Sequence, residues 1–317
     1  MSSKTDEQPG DTGHLSVLPA ARWMALRDEH QQQVHELTKN HRQRRRSAER
    51  HPVWDFMFSY YPVSPGKLSH WHPGAGTWLD MEDTGEKAKV ASEEKQHLLP
   101  HYKDHYVQRG AAWGLDLQRH WDDRGKSISY MHRLLSLTKQ RPPQLGCFGL
   151  HEWAMVYRDT PRHPEPLRLG AEGTNQVVEN SQLKCTHIDA FRFFTPQAAP
   201  RNELRPTRET QTELEQPGCL HATMDVYKWA TKLGPMLPGE LWLRAFALAC
   251  DVRVLDMEAS PYDLQEWGFA PVKIEEPAGR AEYVRRQQEL MRRGQALRGE
   301  ILDILEEAFP HLRAPSS

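Results

Sequence analysis

A chain of 317 residues is long enough to bury a substantial core, either as one large domain or as two smaller ones. Its 41 lysines and arginines are balanced by 43 aspartates and glutamates, so no long-range field draws it to a polyanion, and nucleic-acid binding would have to rest on a local patch. Met1 to Gly13 lack the apolar core of a signal peptide, and no uncharged apolar run reaches spanning length, so the chain is expected to be cytoplasmic and to stay out of the membrane.

Residues 1–16 are expected to be disordered and 17–50 to form one long polar, basic helix, running from Pro19 to about Arg50 without internal glycine or proline. Its end carries His41, Arg42, Arg44, Arg45, Arg46 and Arg50, a run that either grips phosphates or forms a solvated face. Residues 51–317 read as a single, mostly helical globular domain, giving a mainly α fold with a few short strands. The aromatic segment Trp54 to Tyr61, stopped by Pro62, predicts a core helix, and His70 to Gly74 predicts a turn. Gly76 to Asp83 predicts a short strand that leads into a charged loop. Apolar residues at Ile128, Met131, Leu134, Leu135 and Leu137 predict a helix over Ser127–Arg141, and another should start near Gly149. Lys184 to Thr195 alternates Cys185, His187, Asp189, Phe191 and Phe193 against Thr186, Ile188, Ala190 and Arg192; the pattern predicts a strand, with a buried helix as the alternative. A loop should cover Pro196 to Thr207. Three helices are expected at the C-terminal end, over Cys219–Leu233, Pro238 to about Glu258, and Ala278–Phe309.

The four cysteines are widely spaced, with no C-x-x-C pair, and are expected to be reduced and mostly buried. Two segments echo one another: Leu150-His151-Glu152-Trp153-Ala154-Met155-Val156-Tyr157 and Leu220-His221-Ala222-Thr223-Met224-Asp225-Val226-Tyr227, each after a glycine-cysteine pair. Helices of this kind could face each other across a cleft, each presenting a histidine and a carboxylate. His221 and Asp225 stand four apart, a spacing that permits a hydrogen bond on one helical face, and His187 and Asp189 would share one side of a strand. Convergence of these groups would suit general acid–base work or a divalent metal. Neither spacing is a specific ligand motif, however, so no metal ligands are assigned, and a histidine beside an acid is more often a satisfied internal hydrogen bond. No phosphate-binding glycine loop, dinucleotide fingerprint or serine nucleophile elbow occurs in the chain. What the sequence offers is carboxylates, imidazoles and rings, among them Phe193 and Trp229, a combination suited to a flat or cationic ligand.

Several phrases resemble a group of bacterial proteins, chiefly actinobacterial, commonly labelled 3-methyladenine DNA glycosylase. These are His51-Pro52-Val53-Trp54-Asp55-Phe56 with Tyr60-Tyr61, Trp71-His72-Pro73-Gly74, Gly149 to Tyr157, Cys185 to Phe194, and Ala259-Ser260-Pro261-Tyr262-Asp263-Leu264. The resemblance implies hydrolysis of the N-glycosidic bond to an alkylated purine, in which a carboxylate stabilises the sugar cation and orients water. Under that reading Asp189 is the first candidate for the carboxylate, followed by Asp225 and Glu152, with His187 beside them. Trp153, Tyr157, Phe191 and Tyr227 would hold the flipped base near His151 and His221, while Arg192, Lys228 and the basic run would meet DNA phosphates. These roles are inferred from residue type, since no family motif assigns them. Two other readings stay open: a metal-dependent or acid–base enzyme acting on a small molecule, and a non-catalytic helical module that captures a ligand. The oligomeric state is not encoded in any of these features.

Overall fold

A computed structural model describes residues 16–81, 104–161 and 163–313. Ser16, expected to be disordered, opens strand β1 (Ser16–Leu18), and Pro19 then supplies the first turn of α1 (Ala20–Arg46) by accepting from the backbone N–H groups of Arg22 and Trp23. The rest of the expected N-terminal disorder lies outside the described residues. The long polar helix is thus present, ending four residues before the expected Arg50. It is held by a narrow buried stripe of Trp23, His30, Val34, Thr38 and His41, whose steps of seven, four, four and three residues place them on one face. Trp23 is fully buried beside Trp71 and Leu79, and its indole N–H donates to the carbonyl of Asp80 at 2.9 Å.

The aromatic segment turns through α2 (Phe56–Ser59), and Ser64 caps α3 (Pro65–Leu68) by accepting from the Lys67 N–H. Beyond the expected strand, now β2 (Thr77–Asp80), come two that the sequence reading missed: β3 (Tyr106–Arg109) and β4 (Ala112–Leu115). Gly110, at φ +61°, makes their hairpin turn. The sheet order is β1-β2-β4-β3, with β1 parallel to β2 and the other pairs antiparallel. The charged loop expected after β2 lies outside the described residues.

The helix expected from Ser127 starts well before it. In α4 (Leu117–Gln140) the Asp116 carboxylate caps the first turn by accepting from the Arg119 N–H at 3.1 Å, and Trp121 lends apolar surface to an otherwise charged turn. Near Gly149 the expected helix is only α5 (Leu150–Ala154), followed later by α6 (Gly170–Glu179). The predicted strand over Lys184–Thr195 does not form. Its first half is extended, but what pairs with it is the side-chain amide of Asn202, which accepts from the Cys185 N–H at 2.7 Å and donates to the Cys185 carbonyl at 3.0 Å. The chain then coils into α7 (Ile188–Phe191). An amide side chain thereby substitutes for a neighbouring strand, and the alternation of residues finds no sheet to join.

After α8 (Gln211–Leu214) the C-terminal helices form within a residue of their expected ends: α9 (Leu220–Leu233), α10 (Gly239–Glu258) and α11 (Pro277–Ala308). Helix α10 buries residues on every face, as a central helix must. Helix α9 packs on α10 and α11, which in turn reaches α4. Gly294 permits the α9–α11 approach: a Cβ there would come within 2.9 Å of the Thr223 methyl. No helix among the described residues is long and apolar enough to cross a membrane.

Candidate functional site

Helix α9 carries His221, Asp225, Lys228 and Lys232 at steps of four, three and four, one polar stripe on a helix whose remaining surface is mostly apolar and buried. The stripe runs from the protein interior to an open cleft. Its inner end, His221, faces two other imidazoles, with ring centroids 4.4 Å from that of His151 on α5 and 5.5 Å from that of His187, which precedes α7. The three positions that the sequence reading set apart are therefore neighbours. They meet in the interior, since His151, His187, His221, Asp189 and Asp225 are all buried.

Around His187 the network is dense. Its Nε2 lies 3.1 Å from Glu215 and 3.4 Å from Asp225, within ion-pair range of both but without hydrogen-bond alignment to either, and its Nδ1 has no partner. Burial opposes charge on this ring, yet the two carboxylates outweigh it and raise its pKa to about 9. The Lys228 ammonium bridges two acids, 2.6 Å from Asp189 Oδ2 and 2.7 Å from Asp225 Oδ2. Arg208 also binds Asp189, and the Tyr61 hydroxyl donates to Asp225. Burial alone would push both carboxylates up; Lys228, joined by Arg208 on Asp189 and by His187 on Asp225, holds them below the usual carboxylate range. Those acids in turn hold Lys228 protonated against its own burial.

A second cluster lies on the far side of His221. His151 Nε2 is 2.8 Å from Asp256 Oδ1, and Arg253 meets the other oxygen of Asp256 at 3.1 Å and Glu152 at 3.6 Å. Burial opposes charge on both members of the pair, but His151 is raised and Asp256 lowered because each offsets the charge of the other. Burial first, and then the Asp256 charge, raises Glu152. His221, desolvated and beside a charged His151, falls to about 3 and is a neutral imidazole. The expected His221–Asp225 hydrogen bond is not made, because Asp225 is turned toward Lys228, Tyr61 and His187.

The outer end of the stripe opens into a cleft of about 520 Å³ whose lining includes Arg124, Lys126, Arg208, Lys228 and Lys232 with the rings of Tyr130 and Trp229. Lys228 and Lys232 flank Trp229, their ammonium groups 4.8 and 5.1 Å from the indole. No family model, curated protein or solved structure matches the chain. Of the rings the sequence singled out, Trp229 lines this cleft, while those expected to hold a flipped base lie elsewhere. Trp153 and Tyr227 are core residues, and the Trp153 indole donates to the Ala259 carbonyl. Tyr157 is buried with its hydroxyl on Glu179, and Phe191 packs against the core. Arg192 pairs with Asp189 at 3.4 Å and covers Phe193. Within the basic run, Arg44 is engaged by Asp55 and Arg42 by the His35 carbonyl, and none of the run lines the cleft.

Of the residues the sequence singled out, then, Lys228 and Trp229 reach the open cleft, with Asp189 and Asp225 directly behind the lysine. The sequence reading missed Glu215, Arg253 and Asp256 in the interior and Arg124, Lys126, Tyr130, Arg208 and Lys232 at the cleft. Two features could have revealed part of this set. Arg253 and Asp256 stand three apart inside an apolar helix that can bury charge only as a pair, and Lys228 and Lys232 bracket a tryptophan.

Proposed function

We propose that the cleft beside Trp229 binds a phosphate-bearing ligand with a flat ring, of the nucleotide class. One observation carries the reading: five cationic side chains converge on a cavity of about 520 Å³ that also presents an indole and a phenol ring, the combination that pairs phosphate recognition with base stacking. Lys228 and Arg208 are held in place by Asp189 and Asp225 behind them, which offset much of their charge, so the positive excess at the cleft rests on Arg124, Lys126 and Lys232. Neither acid is free to act as a base while Lys228 holds it, and the chemistry best supported is electrostatic binding of an anion. Calorimetric titration with a nucleoside monophosphate, the matching nucleoside and inorganic phosphate tests this. Saturable binding of the nucleotide, at least about tenfold tighter than of either part and lost in Lys232→Ala and Trp229→Ala, is expected. Absence of binding by any phosphate-bearing compound in a panel of nucleotides and short oligonucleotides overturns the reading.

A second reading is the removal of an alkylated purine from DNA, as the sequence resemblance implies. The place of Asp189 behind the cleft floor favours it, as do cations suited to backbone phosphates. Two features weigh against it: a cationic purine would enter a cleft of like charge, and Asp189 is already neutralised by Lys228 and Arg208. Incubation with alkylated duplex DNA, reading released base for wild type and Asp189→Asn, decides between them. Release abolished by that substitution would establish the glycosylase.

A further inference from the structure

His151, His221 and Asp256 each offer a ligand atom, and those atoms all lie within 4.8 Å of one another in a fully buried setting. They come from three separate helices, α5, α9 and α10, so the tertiary packing rather than a local loop creates the cluster. The two histidines also line a cavity of about 10 Å³, room for roughly one water-sized particle. Three of the four cysteines, Cys147, Cys185 and Cys219, line the same cavity. Two of its lining side chains carry buried polar atoms without partners, Thr186 Oγ1 and Gln287 Oε1. Such orphaned atoms beside a void are costly unless something polar occupies it. We infer that His151, His221 and Asp256 form the binding site of a divalent transition-metal ion of the zinc class.

Imidazole nitrogen and carboxylate oxygen with thiols nearby suit zinc, cobalt or nickel, whereas magnesium and calcium demand oxygen donors. The His151 Nε2 to Asp256 Oδ1 separation of 2.8 Å needs to widen by about half an ångström for two donors of one tetrahedral ion with bonds near 2.0 Å. Glu152 Oε1, 4.0 Å from His151 Nε2, stands as a further carboxylate within reach. Arg253 on the second Asp256 oxygen fixes that carboxylate from behind, as outer partners of metal ligands do. The neighbouring group of His187, Asp189 and Asp225 is equally compact, but the Lys228 ammonium and Arg208 already fill the position a cation would take. The two clusters thus differ: in one, side-chain cations sit between the acids, whereas in the other Arg253 takes only the outer oxygen of Asp256 and an adjoining space lined with soft donors lies beside the histidines.

The test is equilibrium dialysis of metal-stripped protein against zinc, with cobalt as the spectroscopic probe. Wild type is expected to take up one equivalent of zinc, and its cobalt form to show the intense visible band of a low-coordinate site. His221→Gln and Asp256→Asn should weaken uptake by at least about tenfold, while His187→Gln, in the other cluster, should retain it. Less than one equivalent in wild type, a cobalt spectrum like that of the hydrated ion, or uptake lost in His187→Gln but kept in His221→Gln overturns the site. Should the site variants fail to fold, the wild-type stoichiometry and cobalt spectrum decide alone. Nucleotide titration of the stripped protein keeps this outcome separate from that of the cleft.

Discussion

Replacing Lys228 by methionine removes the ammonium that joins Asp189 and Asp225 while preserving the shape of the side chain. Each contact, at 2.6 and 2.7 Å, corresponds to about 6 kcal/mol of Coulomb attraction at an effective dielectric of ~20, most of it offset in the folded protein by the desolvation of three charges. Breaking such a pair from one side typically costs about 3–5 kcal/mol, because the abandoned charge stays buried. Lys228 retains 17% side-chain exposure, and Arg208 and His187 remain as partial counter-charges, so the lower end, about 3 kcal/mol, is expected. Urea unfolding followed by circular dichroism at neutral pH measures it, and adding Asp225→Asn to the lysine variant should return about 1–2 kcal/mol. The sign of the pH dependence follows from linkage. Both acids have depressed folded pKa values, so their stabilising contribution is present above the unfolded value of 3.8 and is lost as pH falls through the folded one. Without Lys228 that depression is relieved, and the gap between wild type and Lys228→Met must narrow on acidification. A loss under about 0.5 kcal/mol at neutral pH, or a gap that widens in acid, refutes the account of Lys228 as the counter-ion of a buried acid pair.

His187 gives the opposite dependence: its folded pKa is raised from 6.5 to about 9, so its contribution is complete below 6.5 and disappears as pH rises through 9. The difference corresponds to on the order of 3 kcal/mol, and alkaline unfolding curves of His187→Gln should lack this slope. Gly294→Val places side-chain bulk where a Cβ already falls 2.9 Å from Thr223, so helix α11 must shift from α9; a loss of about 1–3 kcal/mol in urea unfolding is expected, and an unchanged midpoint would mean the helices are not so closely apposed. Nucleotide affinity at the cleft should fall as salt rises, and less steeply in Lys126→Ala than in wild type; salt-independent binding would show that the five cations do not engage the ligand.

The N-terminal and C-terminal helices were legible because their apolar positions repeat at helical spacing and prolines punctuate their ends; α1, α9, α10 and α11 therefore appear close to their expected bounds. Of the two readings of Lys184–Thr195, the strand fails because its alternation is real while the partner that would make it a strand is missing, and the helix alternative holds over Ile188–Phe191; whether extended chain becomes sheet depends on a neighbour that local pattern does not encode. Likewise the hairpin of β3 and β4 rests on a sheet partner, β2, that is distant in sequence.

The candidate site divides along the same line. Residue order by itself placed His151 and His221 with their acidic neighbours on helical faces, and it flagged His187 and Asp189 on what it read as a strand. Only the packing of α9 against α5, α7 and α10 decided which partner each group would take. Asp225 went to Lys228 and His187 rather than His221, Asp256 claimed His151, and the open cleft fell to cations and Trp229 rather than to Trp153 or Tyr157. The physical reason is that a buried charge takes whichever opposite charge the fold brings within a few ångströms, and that distance is set by helix contacts between residues far apart along the chain.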